Sequence, residues 1–442
     1  MSKKNKKLWV AAWLVVCATS VAVAHAEELQ DENWNAKFQT TYIWQTKPSF
    51  NAAYSGQNSL KPGHEKAYSF SATAAFGWRP WDGAELYLDP ELLQGVPLSN
   101  LTGLAGLSNA EQQKSSGPNP VLYRARLFLR QSWNLGGETK TVESDVNQLA
   151  GKVDARRLVV TVGNLSVIDL FDGNGFAHDP RSQFMNTALA TNGAYDYASD
   201  ARGYTWGAAA EYFYDDWTLR AGRFRQPLES NGLPLDSGIF KHFGDQIELE
   251  HAHTVGGQGG KLRLLAFRNA ASMGSFRDAL FDAQASGGVP SVARVRKESI
   301  KYGFGVGFEQ NLTPDIGVFA RAGWNDGATE AYAFAEIERA LSAGAAFKGT
   351  SWGRHDDVLG LALARNGLSA AHRDYLAAGG VGAFIGDGRL NYRPETVLEA
   401  YYNIKLVKHV SATVDVQRIA NPAYNADRGP VTVGSIRLHA EF

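Results

Sequence analysis

The 442-residue sequence has almost no cysteine and no excess of positive charge. Its one cysteine, Cys17, lies within the first 26 residues, which we expect to be removed, so the exported chain would have no disulfides and no thiol chemistry. The 44 Lys and Arg residues are balanced by 45 Asp and Glu residues, which excludes the basic surface that nucleic-acid binding requires. Beyond residue 26 there is no run of about 18 apolar residues, which excludes helical membrane spans.

The first 26 residues have the three parts of a secretory signal peptide. Residues 1–7 (MSKKNKK) are basic, residues 8–24 are apolar, and Ala24-His25-Ala26 is a small-x-small cleavage site. We therefore predict a signal peptide over residues 1–26 and a mature chain that begins at Glu27. A retained membrane anchor is the less favoured alternative, because the apolar segment is barely long enough to span a bilayer.

Segments of about ten residues with alternating apolar and polar side chains are frequent after the signal peptide. They include Trp34 to Gln45, Ala67 to Arg79 and Lys301 to Glu309, and aromatic residues stand near both ends of their apolar faces. A period of two indicates a strand with two different faces, and ten residues is the length that a tilted strand needs to cross a bilayer. The segment Val431 to Phe442 alternates too, and we expect it to pair with the first strand, which would leave no open edge.

These patterns predict an all-β fold, a transmembrane antiparallel β-barrel of 16 strands (18 as the alternative count) that forms one domain over residues 27–442. Short turns alternate with long connections, as periplasmic turns and outer loops do in such barrels. Two connections break this rule: the inner one at about 135–155 is long, and the outer one at Asn325 to Thr329 is short. The expected location is the bacterial outer membrane, among its lipids and lipopolysaccharide. A soluble two-sheet protein is the less favoured alternative.

One segment of the sequence is a candidate constriction. A barrel of this size encloses an aqueous channel that something must narrow. Gly163 to Arg202 is too long for a simple outer loop and is rich in turn signals and aromatic residues. Long segments without a strand pattern are usually functional or disordered, and the aromatic content argues against disorder. We predict that part of this segment folds into the lumen.

Counting faces along each strand predicts which side chains line the lumen. Two neighbouring strands there carry opposite charges, and arginines continue round the wall. The candidate pore-lining residues are Glu85, Tyr87, Asp89 and Glu91 on one strand, Arg124, Arg126, Phe128 and Arg130 on the next, and Arg157, Arg220, Arg263 and Arg321 farther round. Such groups would bind sugar hydroxyls or anions along a solute track. The alternative is that they form ion pairs that only make the wall polar.

The sequence does not predict an enzyme or a cofactor. His251 and His253 share a face but have no evident third metal ligand. His178 and Asp179 cannot be assembled with a serine into a catalytic triad, because triads are defined by geometry. A calcium ion in the aspartate-rich stretch Asp169 to Asp179 is left open.

Four stretches of sequence carry a family resemblance: Asn192 to Asp236, Phe243 to Thr254, Ile385 to Tyr402 and Asn421 to Val431. Their order and content resemble the carbohydrate-selective, OprB-like porins over nearly the whole mature chain. The resemblance implies a 16-stranded outer-membrane porin that passes glucose and other small sugars by facilitated diffusion. It also implies that the strand ending at Phe442 is read by the barrel-assembly machinery. It provides no sugar-binding residues.

Three functional hypotheses remain open at this point: a sugar-preferring pore, a general or anion-preferring (sugar-acid) porin of the same architecture, and a surface adhesin that uses its outer loops. The sequence also leaves open whether the protein is a homotrimer or a monomer.

Overall fold

A computed structural model describes residues 31–114, 117–332 and 336–442. The predicted signal peptide, residues 1–26 with Cys17, lies outside the described residues.

The described residues form a closed antiparallel barrel of sixteen strands and a separate two-stranded hairpin, β5–β6. The strand that ends at Glu441 pairs with the first strand, with Leu438 opposite Tyr42, so the predicted strand number and barrel closure are confirmed. The strands are β1 (Trp34–Lys47), β2 (Glu65–Trp78), β3 (Ala84–Val96), β4 (Gly117–Asn134), β5 (Thr139–Val142), β6 (Gly151–Asp154), β7 (Arg156–Leu165), β8 (Thr205–Tyr214), β9 (Trp217–Arg225), β10 (Phe243–Val255), β11 (Gln258–Gly274), β12 (Arg296–Thr313), β13 (Ile316–Asn325), β14 (Arg339–Gly349), β15 (Arg354–Gly367), β16 (Glu395–Val407), β17 (Val410–Ala420) and β18 (Val431–Glu441).

The two faces of the barrel wall differ as the alternating sequence predicts. On β1, Trp34, Phe38 and Tyr42 are exposed on the outside, whereas Thr41 and Gln45 are buried on the inside. The outer face is therefore apolar and aromatic, as a lipid-facing wall requires. The inner face is polar, and it is buried because long connections fold over it.

Long and short connections alternate between the two ends of the barrel, and the sequence predicts two exceptions to this alternation. The long inner connection at 135–155 is confirmed, and it contains the hairpin β5–β6. The predicted short outer connection at Asn325 to Thr329 is wrong, because β14 begins only at Arg339. The residues before Arg339 alternate like a strand, but Glu336 and Glu338 turn inward, where they accept backbone N–H groups of residues 384, 385 and 369.

Short helices occur in three of the outer connections: α1 (Thr187–Ala190), α2 (Phe276–Ser286) and α3 (Ala370–Ala377). Helix α2 begins after Ser275, whose hydroxyl accepts the N–H of Asp278, and ends at Gly287 with φ +72°. The ring of Phe276 stacks on His372 of α3 with 4.1 Å between centroids. Within the described ranges, no helix is long and apolar enough to cross a membrane.

Candidate functional site

The connection between β7 and β8, residues 166–204, enters the barrel and is held there by arginines of the inner wall. Arg321 of β13 donates hydrogen bonds to the carbonyl oxygens of Ala177 (2.8 Å) and Leu189 (2.9 Å). Arg437 of β18 donates to the carbonyl oxygen of Gln183 at 2.8 Å. Both arginines are almost fully buried, so the segment lies against these two walls of the lumen.

Glutamates of the inner wall hold the same segment by accepting its backbone N–H groups. Buried backbone N–H groups need hydrogen-bond acceptors, so these contacts fix the path of a segment that has little regular structure. The pairs are Asp172 to Glu248 (2.8 Å), Gly175 to Glu309 (2.7 Å) and Met185 to Glu399 (2.6 Å). Because these glutamates lie on β10, β12 and β16, the segment crosses the lumen and does not simply line one wall.

Two cavities meet at this crossing segment. The larger, of about 450 Å³, is lined by the inner hairpin and by β3, β4 and β7 to β11. The smaller, of about 220 Å³, lies towards the outer connections. Ile168, Asp169 and His178 line both cavities and therefore mark the boundary between them.

Arg126 connects the wall to this boundary. Its guanidinium donates to both carboxylate oxygens of Asp169, each at 2.7 Å, and its Nη1 lies 3.4 Å from Asp89. The second partner of Asp89 is Asn147, whose side-chain amide donates to it at 2.9 Å. Asn147 belongs to the inner hairpin, so Arg126 and Asp89 join the crossing segment to the hairpin.

Most of the other predicted lumen arginines also face carboxylates. Arg130 lies 3.3 Å from Glu85, and Arg263 lies 2.7 Å from Glu250. Arg220 contacts three glutamates, and Arg321 contacts Asp172. The inner wall is therefore a network of ion pairs in which donors and acceptors alternate.

The contacts of Arg157 differ from those of the other predicted lumen arginines. Its guanidinium lies 3.7 Å from the centre of the Phe213 ring and donates to the backbone carbonyl of Asp154 at 2.9 Å. It lines the larger cavity.

Arg124 does not lie on the inner face, which corrects the prediction made by counting. Asp89 pairs with Arg126 and the next residue, Pro90, pairs with Arg124, so Ala125 is an extra residue in β4. A one-residue bulge reverses the alternation of the residues beyond it. Arg124 instead stacks on Trp206 of β8 at 5.2 Å, on the lipid-facing side.

Three of the predicted pore-lining side chains are buried in packing. Tyr87 donates to Glu85 and accepts the N–H of Leu149 in the inner hairpin, and its ring lies 5.0 Å from Phe128. Glu91 is buried against Arg181 at 2.5 Å. These residues support the wall and the crossing segment, while Glu85 lines the larger cavity.

The aspartates between Asp169 and Asp179, where the sequence leaves a calcium ion open, have protein partners. Asp169 faces Arg126, Asp172 faces Arg321 and the N–H of Asn192, and Asp179 accepts from Ser182. In the part of the chain that the structure describes, no group of three or more His, Cys, Asp or Glu side chains is arranged to hold a metal ion.

The two ionisable groups at the boundary have shifted pKa values. Burial opposes ionisation of Asp169, but Arg126 outweighs it and holds the pKa of this carboxyl below its usual value. Burial and the charge of Arg321 lower the pKa of His178. At neutral pH the boundary therefore presents an ionised aspartate and an uncharged imidazole.

Sequence counting missed the residues of this boundary, although it located the segment that carries them. Asp169 and His178 belong to the stretches discussed above for calcium and for a catalytic triad. Asn147 carries no sequence signal beyond its place in the unusually long inner connection.

Comparison with known proteins agrees with this architecture. The description "Carbohydrate-selective porin, OprB family" belongs to the family whose model matches residues 58–442. The high-pH structure of Pseudomonas putida OprB is similar at a TM-score of 0.68 and 17% identity, over 93% of this chain and 94% of that chain. The outer-membrane channel DcaP of Acinetobacter baumannii is similar at a TM-score of 0.51 and 10% identity, over 92% and 97% of the two chains.

At these identities the structural matches establish the fold alone, and no curated protein matches the chain. The family match, in contrast, extends over most of the sequence. The chain therefore belongs to the carbohydrate-selective porin family, OprB.

Proposed function

We propose that glucose and other small neutral sugars cross the outer membrane by facilitated diffusion through the passage that Asp169 and His178 border. The family match supports the substrate class, and the two cavities that meet at these residues support the route. The solute leaves chemically unchanged, so the proposed activity is transport without catalysis. The crossing segment within residues 163–202 serves as the constriction.

The observation that carries the proposal is the pairing of the inner-wall arginines with carboxylates. Arg220 lies 2.8 Å from Glu211 and 3.0 Å from Glu248, and Arg263 is paired in the same way. A paired wall has little net field, but it keeps fixed donors and acceptors, which suit the hydroxyls of an uncharged sugar.

A second candidate function, a preference for sugar acids, rests on Arg157. This arginine contacts an aromatic ring and a backbone carbonyl and faces the larger cavity. A guanidinium in this setting is suited to a carboxylate group of a passing solute.

Single-channel recording in planar bilayers tests both candidates. We expect glucose or maltose at millimolar concentration to reduce the current of the refolded protein saturably, with little anion preference in a salt gradient. Current that sugar does not affect would contradict the sugar track. A reversal potential that favours anions, with block by gluconate, would favour the second candidate.

Arg157 has a matched control in its neighbour Arg156, which lies on the opposite face and pairs with Asp215. Arg157→Gln should weaken gluconate block if the second candidate is right, whereas Arg156→Gln should leave it unchanged.

The proposal also includes the machinery that assembles the barrel in the outer membrane. Strand β18 closes the barrel against β1, where the backbone of Phe442 exchanges hydrogen bonds with Phe38. We assign β18 as the segment that the barrel-assembly machinery reads. Assembly of a Phe442→Ala variant in outer membranes, measured by its heat-modifiable mobility, would test this role.

A further inference from the structure

Seven of the described arginines lie on the lipid-facing side of the barrel wall in the part of their strand nearer to the long outer connections. We call this set the outer arginine belt. Its members are Arg124 on β4, Arg223 and Arg225 on β9, Arg268 on β11, Arg339 on β14, Arg365 on β15 and Arg418 on β17.

The alternation of burial along each strand shows which face these arginines occupy. Arg268 is exposed between buried Phe267 and Asn269, in the same series as exposed Leu264. Arg418 follows exposed Val416 in the same way. The belt therefore shares its face with the apolar side chains that meet lipid.

The other end of the same face has a different chemistry. Tryptophans stand there, including Trp34, Trp78 and Trp217, which are 70%, 55% and 46% exposed. Arg156 at that end is neutralised by Asp215 at 2.8 Å. The positive charge of the lipid-facing wall is thus concentrated at the outer end.

Aromatic rings and one aspartate hold several belt arginines against the wall. Arg223 and Arg268 both bind Asp245, at 2.7 Å each, and both lie over the ring of Phe243, at 3.9 and 5.2 Å. Two guanidinium groups thus share one carboxylate. Arg124 lies in a similar way over Trp206 at 5.2 Å.

Such a belt needs an anionic partner in the membrane. A charge on the lipid face is costly in the hydrocarbon core and is tolerated near the interface. The guanidinium fork matches phosphate oxygens in pairs, and stacking on an aromatic ring leaves its N–H edges available. Phosphorylated headgroups are anionic groups that a membrane presents at this depth.

We propose that the outer arginine belt binds the phosphate groups of lipopolysaccharide in the outer leaflet. The belt orients the barrel and fixes its depth, since it sits at the outer end of the apolar band, while the exposed Trp34, Trp78 and Trp217 sit at the other end. This role does not depend on which solute passes through the lumen.

Binding of fluorescently labelled, phosphorylated lipid A to the full-length refolded protein in an uncharged detergent tests the proposal, with EDTA present to remove bridging cations. The test variant is R124Q/R268Q, which removes two exposed arginines of the belt. The matched control is R156Q/R354Q, which removes two exposed arginines at the periplasmic end.

We expect R124Q/R268Q to bind about 25-fold more weakly at low salt, because each arginine near a membrane surface contributes roughly a factor of five. The control variant should bind like the wild type, and dephosphorylated lipid A should bind all three proteins equally weakly. Heat-modifiable mobility establishes that each variant is a folded barrel.

Any of three results would overturn the proposal, the first two of which concern lipid A binding and the third the oligomeric state. The first is equal binding of phosphorylated and dephosphorylated lipid A by the wild type, and the second is equal binding by the belt variant and the control. The third is a wild-type oligomer that R124Q/R268Q converts to a monomer without a change in lipid A binding, which would make this face a contact between copies of the chain.

Discussion

Arg126 of the barrel wall and Asp169 of the crossing segment form a bidentate ion pair, with both N–O distances at 2.7 Å. The pair lies where the two cavities meet, and through Asp89 it extends to Asn147 of the inner hairpin. One wall arginine therefore contacts the crossing segment directly and is joined to the inner hairpin through Asp89.

The first prediction concerns this pair. Asp169→Asn should increase the open-channel conductance and its noise and lower the free energy of unfolding by about 1–3 kcal/mol, because Arg126 loses its bidentate carboxylate partner and keeps only the longer contact with Asp89. Arg126→Gln should act in the same direction. The double variant should lose less stability than the sum of the two single losses, since both remove the same interaction. Urea unfolding in detergent measures the cycle, and strictly additive losses would show that the pair is not coupled.

The second prediction concerns the inner hairpin. Asn147 has φ +57°, so Asn147→Gly preserves the backbone and removes the amide that donates to Asp89 at 2.9 Å. We expect a higher conductance and a weaker sugar block, because the hairpin tip loses its tie to the wall. Asn231→Gly is the control, since Asn231 has φ +54° in an outer connection. Equal currents for both variants would show that the hairpin does not border the path of the solute.

The sequence predicts the barrel well because strand alternation and connection length are local properties. The closure between β1 and β18 follows from such patterns. The position of Arg124 could not be predicted, since a single extra residue, Ala125, reverses the faces beyond it. The prediction of a short outer connection at Asn325 to Thr329 is wrong because an alternating stretch of sequence can also form a packed loop.

The partners of the inner-wall charges could not be predicted for a different reason. Arg321 stands at a position that strand alternation assigns to the lumen. It nevertheless donates hydrogen bonds to backbone carbonyls of a segment more than 130 residues away in sequence. Such contacts depend on how a long connection crosses the lumen, and no local pattern encodes that path. Counting faces identified a polar wall but could not separate side chains that meet solute from those that hold the segment.

The third prediction tests the anchoring of the crossing segment at Arg437. This buried guanidinium donates to the carbonyl oxygens of Pro180 (2.7 Å) and Gln183 (2.8 Å). Arg437→Ala should lower the free energy of unfolding by about 2–4 kcal/mol and increase current noise, because buried carbonyls lose their donor. Arg437→Lys should recover part of the effect. Arg418→Ala on the neighbouring strand, which faces outward, is the control and should change neither property.

The fourth prediction concerns pH and His178. Burial and Arg321 lower the pKa of His178, although Asp172, Asp169 and Asp179 act in the opposite direction. The folded protein therefore binds fewer protons at this site than the unfolded chain, whose histidine titrates near pH 6.5.

Stability should consequently fall as the pH is lowered below about 6.5, and His178→Gln should reduce that slope. Unfolding temperatures of both proteins between pH 7.5 and pH 5 measure the difference, with His355→Gln, at an exposed position near the start of β15, as the control for loss of a histidine. If the slopes of the wild type and His178→Gln coincide, the buried imidazole does not contribute. A steeper slope in the wild type would show that the boundary of the passage requires a neutral histidine.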